Sequence, residues 1–521
     1  MWSNRRRIVS LLGSTIVALS AGSTYVFSSY APQVQERLHL SGMELNVLGV
    51  ASNLGLYISG PLWGRFVDKN GPKGAILSGA VCTLLGYGLL SVTYSQRWVD
   101  VPLLLLALYM LLTGIGNQAA LCGAINVQAK SWGGNNRGTA MAIVLSTFGL
   151  SAFMYSTVSR VFFDGNVGGY LAALAIGSSI SFVIGSLMLR VVPPDEHALQ
   201  EEWEGFDSAH DNADEESERP RPRRMRSSSE LSGSAEAFSR ENRDQTSSED
   251  PFGEDTPYRN EVTGFALLQE VDFLLLFSLL GLISGAGLVL INNVGVITYA
   301  LWDSAHRELA ERSLEVLVKK DKLQQIQATQ VSLISIGNAS GRIIIGLLSD
   351  FIVSSTQDSS SRTILLILVA LLALFSQVLA AWPDTITNVH RLLYVSGTTG
   401  LMYGTLFGLC PVLVFEWFGM DGFSQNWGWM SWGPVLAGNV FNLLFGYVYD
   451  SHVSSKSHSH TCHLGEECYR SVFVMTSLGC VLALIIAVVL VMRRANGVYA
   501  RVQRALYGVF HGAFAYRPVL N

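Results

Sequence analysis

The side chains able to do chemistry in this 521-residue chain are few and are set among apolar ones. Arg342 lies in the apolar run 326–352, eight residues before Asp350 and so ~12 Å inside the run once it is helical. A charge at that depth needs a cavity or a partner, and a guanidinium clamps a carboxylate through two parallel hydrogen bonds. The plainer alternative is a structural arginine bonded to carbonyls or to a nearby carboxylate. Asn338 stands one helical turn before it. Asn292 and Asn293 are adjacent in the apolar stretch from Gly285 to Gly295. Amides there either line a cavity, with the glycines permitting local unwinding, or bridge neighbouring helices. Asn53, Asn117, Gln118, Asn126, Gln128, Asn439 and Asn442 are further polar positions inside apolar runs. Tyr25, Tyr30, Tyr299 and Tyr403 either shape a cavity or pack as membrane tyrosines do.

One loop gathers His452, His458, His460, Cys462, His463 and Cys468. These residue types suit zinc, but no fixed ligand spacing such as CxxC is present, so a variable loop is the default and a Cys462–Cys468 disulfide stays open. Cys82, Cys122, Cys410 and Cys480 lie in apolar runs and read as small apolar residues. No GxxxxGK(S/T), GxSxG or HExxH pattern occurs, so no enzyme chemistry, cofactor or resident metal is assigned. For nucleic-acid binding there is only the short arginine-rich run at 219–226, too little for a footprint.

The elements that must position these residues follow from composition. The chain is 49% hydrophobic and only 14% charged, against about 25% charged in soluble domains, and a single soluble core stops growing at about 250–300 residues. The net charge of −5 hides an asymmetry: residues 193–262 hold 20 of the 40 acidic groups but 8 of the 35 basic ones. The rest is apolar and net basic, as a membrane domain is.

A helix crossing the hydrocarbon core needs ~20 mostly apolar residues. Twelve such spans are predicted, at 8–30, 44–67, 74–94, 101–127, 138–161 and 170–192, then 271–301, 326–352, 362–382, 391–418, 428–450 and 470–492. Arg5, Arg6 and Arg7 precede a run too long for a signal peptide, so it reads as a retained first helix. With the two long connecting segments set aside, 16 Lys and Arg fall on the side of the termini and 6 on the other. That bias puts both termini and the middle stretch in the cytosol. The predicted domains are a six-helix bundle over 1–192, a flexible Ser-, Glu- and Arg-rich linker over 193–270, a second six-helix bundle over 271–492 and a tail over 493–521. Ser227, Ser228 and Ser229 beside arginines are candidate phosphorylation sites in a stretch otherwise read as an inert tether.

Spans two and eight align at an offset of 282, which superposes Gly55 on Gly337, Gly64 on Gly346 and Asp68 on Asp350. Trp132 and Trp417, after spans four and ten, match at 285. Two similar halves suggest alternating access around a site near mid-membrane. The sharpest local motif runs from Gly64 through Asp68, Lys69 and Gly71 to Lys73. Its glycine permits close helix approach, its carboxylate can face a helix N-terminus, and its basic residues suit anionic headgroups.

This segment resembles the GxxxD(R/K)xGR(K/R) loop of the major facilitator superfamily, with Gly346 and Asp350 as the reduced second copy. The resemblance implies an all-α membrane protein of twelve transmembrane helices in two six-helix pseudo-repeat bundles, with Asp68 and Asp350 latching a gate. Four shorter matches, Ser335–Arg342, Arg137–Ala140, Asn426–Gly428 and Gly438–Asn442, are similar to the nodulin-like branch and to fungal homologues of monocarboxylate transporters. That similarity implies transport of a small organic anion. In monocarboxylate transporters an acid and an arginine stand one turn apart on the eighth span; here the pair is Asn338 and Arg342. The stretch 22–30 resembles their first helix but offers Ser29 where they place a lysine. Proton–monocarboxylate symport is therefore in doubt, and proton coupling stays open.

The expected function is a secondary-active or facilitative transporter working by alternating access, with the lipid bilayer and a small-molecule substrate as partners, no nucleic acid and a monomeric state. The expected substrate residues are Arg342, Asn338, Asn292, Asn293 and Tyr25. The alternative is a transport-inactive sensor that keeps the carrier fold. Family resemblance favours the vacuolar membrane over the plasma membrane.

Overall fold

In a bilayer every backbone polar group must be satisfied within its own segment, so the apolar runs have only the helix open to them. The computed structural model describes residues 2–96, 101–163, 166–192, 262–306, 313–383, 386, 389–452 and 465–494, and those residues contain helices and no strand. The first half comprises α1 (Trp2–Ala21), a 3-10 segment (Gly22–Ser29), α2 (Ala31–Arg37), α3 (Gly42–Ile58), α4 (Gly60–Asn70), α5 (Pro72–Gln96), α6 (Leu103–Ser131), α7 (Gly134–Phe162) and α8 (Val167–Met188). The second half comprises α9 (Val271–His306), α10 (Ser313–Thr356), α11 (Leu365–Ala381), α12 (Val389–Phe418), α13 (Phe423–Met430), α14 (Trp432–Ser451) and α15 (Arg470–Arg494).

Ten of the expected spans are continuous helical runs long and apolar enough to cross a membrane, two of them part 3-10 at one end. The second and eleventh are divided. Span two breaks between α3 and α4 at Ser59, whose hydroxyl donates to the Gly55 carbonyl at 2.6 Å, with Pro61 following. Span eleven breaks between α13 and α14 at Ser431, whose hydroxyl donates to the Gly428 carbonyl at 2.7 Å, with Pro434 following. Each proline removes one helix donor and crowds the preceding turn, and each serine offers the freed backbone another bond.

Two sequence expectations need correction. The loop expected at 303–325 is helical from Ser313 onward, and α10 runs for 44 residues. Its Glu, Lys, Leu and Gln residues are strong helix formers that carry the helix past the apolar edge. Unwinding beside Asn292 and Asn293 does not occur, because α9 is continuous from Val271 to His306. The Asn293 side chain bonds the Val289 carbonyl one turn back while the helix passes through. At the end of the linker range, Gly264–Gln269 form a 3-10 turn, and the Val262 carbonyl accepts from Asn426 at 2.9 Å.

Turns are set by local chemistry. Ser41 and Glu44 close a capping box at the start of α3. Gly71 adopts φ +84° to end α4, a left-handed conformation that favours glycine, and Pro72 opens α5. The two bundles then meet along two seams, α10 against α7 and α13 against α4. At the second seam a methyl on Gly64 would collide with the Ser424 carbonyl, and one on Gly60 would lie 3.2 Å from the Gly428 Cα. Beyond this crossing α3 and α14 touch only sparsely, so the bundles separate towards the face opposite Asp68 and Asp350.

Candidate functional site

Two arrangements stand out where the halves meet. The first is on the face carrying the repeated carboxylates. Asp68, at the end of α4, accepts from the backbone N–H of Ser424 at 3.2 Å and of Gln425 at 2.8 Å, in the first turn of α13. Asn126 on α6 donates to the same carboxylate at 3.0 Å and to the Ser424 hydroxyl at 2.6 Å. Asp350, on α10, accepts from the N–H groups of Gly138 at 3.0 Å and Thr139 at 2.6 Å, near the start of α7. Each carboxylate thus meets the N-terminal end of a helix in the other bundle, where the peptide dipoles favour negative charge.

The two sites differ in support. Asp350 also pairs with Arg362 at 2.7 Å, and Arg362 in turn pairs with Glu416 at the end of α12; the Arg362 side chain is fully buried. Gly346 faces Ala142 and the Gly138 carbonyl, as Gly64 faces Ser424. Lys69 and Lys73 are exposed at the turn between α4 and α5. Arg137 stacks on the Phe415 ring at 4.2 Å and donates to the Ala129 carbonyl at 3.2 Å, which adds a cation–π contact across the seam.

The second arrangement is centred on Arg342, 3% exposed on α10. One guanidinium nitrogen donates to the Leu145 carbonyl of α7, while Nε is buried with no hydrogen-bond partner among the described residues. One turn back, the Asn338 carbonyl oxygen is buried in the same condition. A methyl on Gly149 of α7 would lie 3.3 Å from the Asn338 amide and 3.5 Å from the Arg342 guanidinium carbon, so this glycine admits both side chains against α7. Aromatic rings from both halves surround the cation. Its guanidinium carbon lies 5.9 Å from the Phe148 centroid on α7 and 5.8 Å from Phe407 on α12. Tyr25, in the 3-10 segment, packs edge-on to Phe148 at 5.4 Å and shares a hydrogen bond of 3.0 Å with the Tyr57 hydroxyl. Tyr403 lies 4.7 Å from Phe407, centroid to centroid. Tyr25 keeps 40% of its surface exposed and marks the accessible side.

Of the residues expected to contact substrate, Arg342, Asn338 and Tyr25 therefore converge. Asn293 is engaged elsewhere: it donates to Asn442 at 2.8 Å and ties α9 to α14. Asn292 is exposed on α9, and no bond joins it to Arg342 among the described residues. Ser29 sits beside Tyr170 within the first bundle. Tyr57, Phe148 and Phe407 were not singled out from sequence, since apolar spans carry many aromatic residues. Glu416 was legible in principle, as the only acid in the run 391–418. Positions 453–464, with His458, His460, Cys462 and His463, lie outside the described residues, as do Ser227, Ser228 and Ser229. Cys468 is disulfide-bonded, and among the described residues no group of three metal-binding side chains occurs.

The Nodulin-like family matches residues 7–208. An uncharacterized membrane protein of Saccharomyces cerevisiae, YMR155W, is 25% identical over 90% of this chain and 91% of its own length. The probable transporters MCH1 of Gibberella zeae and mch1 of Neurospora crassa are 26% and 27% identical, each over 90% of this chain and 86% of their own lengths. Among solved structures, the proton:xylose symporter XylE aligns with a TM-score of 0.53 at 13% identity, over 91% of this chain and 95% of its own, a likeness of fold alone. The helix order and these relatives agree: the chain has the fold of the XylE structure, residues 7–208 match the Nodulin-like family, and most of its length is similar to probable transporters.

Proposed function

We propose that the protein carries a small organic anion across the bilayer by alternating access, with Arg342 as the counter-charge. The observation behind this reading is a buried guanidinium that keeps an unused donor, set among side chains from both bundles beneath the exposed Tyr25 ring. Such a cation is costly in a membrane interior unless something anionic or hydrated uses it. A carboxylate on Nε and its neighbouring nitrogen would form a bidentate pair. Asp68 and Asp350 then act as latches: with both engaged, the bundles are joined on that face and apart on the other. Release of both would let the bundles rock about the bound anion.

The face of the latches reads as cytosolic from the Lys and Arg distribution. The disulfide at Cys468 lies after α14, on the opposite face, which suits an oxidising compartment. A vacuolar membrane fits that orientation, with the cell surface as the other candidate. Asn338 in place of an acid argues against a proton carried beside Arg342.

Uptake into reconstituted vesicles tests the reading, with Arg342→Lys as the decisive variant. Lysine keeps the charge but loses the planar fork. Flux through Arg342→Lys equal to wild type would end the bidentate model. Wild-type vesicles that show no uptake from a panel of carboxylates, with or without a pH gradient, would end the transport of organic anions altogether.

A further inference from the structure

Among the described residues Arg342 is the only formal charge at the middle of the spans, and what surrounds it is aromatic. Phe148 belongs to the first bundle and Phe407 to the second, and their centroids stand at nearly equal distances from the guanidinium carbon, 5.9 and 5.8 Å. Tyr25 meets Phe148 edge-on and hydrogen-bonds Tyr57 on the accessible side. One cation without a second selects a single negative charge. Ring edges and faces select a planar π-system, because aromatic pairs gain from the alignment of their quadrupoles beyond the area they bury. A carboxylate seated on Nε would draw the body of its molecule past Phe148 and Phe407 together, so that one ring touches both halves.

From this we infer that the substrate class is the aromatic monocarboxylates, acids whose ring packs against Phe148 and Phe407 while the carboxylate pairs with Arg342. The inference rests on the anion site proposed above and adds a requirement on the body of the substrate. A short aliphatic acid would satisfy the guanidinium and leave the rings unused. A saturated ring of similar size would fill the space without the edge-to-face gain.

Full-length protein purified in detergent allows the test, with tryptophan fluorescence following thermal melting during titrations of benzoate, cyclohexanecarboxylate and acetate. Benzoate is expected to stabilise at roughly tenfold lower concentration than cyclohexanecarboxylate, the scale of one or two aromatic contacts, with acetate weaker still. Phe148→Leu or Phe407→Leu is expected to bring benzoate to the level of cyclohexanecarboxylate. Equal or tighter binding of cyclohexanecarboxylate to the wild type overturns the aromatic preference, as does a wild type that benzoate does not stabilise. Arg342→Gln separates the two levels. If it abolishes stabilisation by every acid while benzoate and cyclohexanecarboxylate bind the wild type alike, the anion site stands and the aromatic class falls. If benzoate still stabilises Arg342→Gln fully, both fall.

Discussion

Asp68 and Asp350 occupy matching places in the two halves, and both end on the backbone of a helix in the opposite bundle. Their surroundings have diverged. Asp68 is held by neutral donors, the peptide N–H groups of Ser424 and Gln425 and the Asn126 amide. Asp350 has in addition a fully buried arginine, which itself binds Glu416. A carboxylate among dipoles can leave for water and be solvated there at modest cost. A buried cation between two carboxylates cannot lose one of them cheaply, since the remaining charges stay desolvated. The comparison teaches that two matching carboxylates need not hold with equal strength: under the latch role proposed above, the Asp68 seam parts more easily than the Asp350 seam.

The strongest way to break this contrast is Arg362→Gln, which leaves Asp350 and Glu416 buried without their cation. A loss of about 3–5 kcal/mol is expected, read as a large drop in the detergent melting midpoint; a variant as stable as wild type would show that the cluster contributes little. Gly64→Ala comes next. The added methyl meets the Ser424 carbonyl group and the Gln425 nitrogen at once, whereas in Gly346→Ala only the Ala142 methyl is comparably close and the Gly138 carbonyl oxygen lies at 2.9 Å. Overpacking costs about 1–3 kcal/mol, with Gly64→Ala at the upper end and Gly346→Ala below it, measured by the same melts.

Asp68→Asn is expected to cost about 2 kcal/mol, the worth of hydrogen bonds to a charged acceptor. It carries its own reporter. Cys122, 4% exposed, packs with Val67 and Ala75 behind Asp68, so a parted seam should speed its reaction with a maleimide while Cys410 and Cys480 stay slow. Unchanged Cys122 labelling would contradict the easily parted seam. The smallest effect belongs to Ser431→Ala, which removes only the hydroxyl bond at the break in span eleven. A change below about 1 kcal/mol is expected, visible as a slight shift in the melt, and a larger one would make that serine a principal support of the seam.

Much of this was legible in the order of residues. Apolar runs have one option in lipid, so the number of crossings could be counted, and the offset of 282 brought Asp68 and Asp350 into register before their bonds were known. Arg342 declared itself by its depth. Other features were hidden for physical reasons. Proline alone does not tell a break from a tolerated kink: Pro61 and Pro434 accompany divided spans, while Pro411 sits inside the unbroken α12. The partners of Arg342 depend on which faces of α7, α10 and α12 meet, and Phe148 and Phe407 look like any lipid-facing phenylalanine until that packing is formed. Asn293 could be read either way from sequence, because an amide that suits a ligand suits a neighbouring amide equally well, and here it bonds Asn442.

The divided spans have a mechanical corollary. Ser59 and Ser431 interrupt two helices beside the point where Gly60 and Gly428 touch, like a rivet through crossed blades. Beyond Ser431, α14 is 20 residues long, about 30 Å, and it packs along α9, to which Asn293 ties it. Swinging α9 and α14 together by about 10° would carry the tip of α14 ~5 Å while the riveted end hardly moves. On the mechanism proposed above, movement of this helix pair widens or narrows the mouth on that side while the crossing at Gly60 and Gly428 keeps the other end shut.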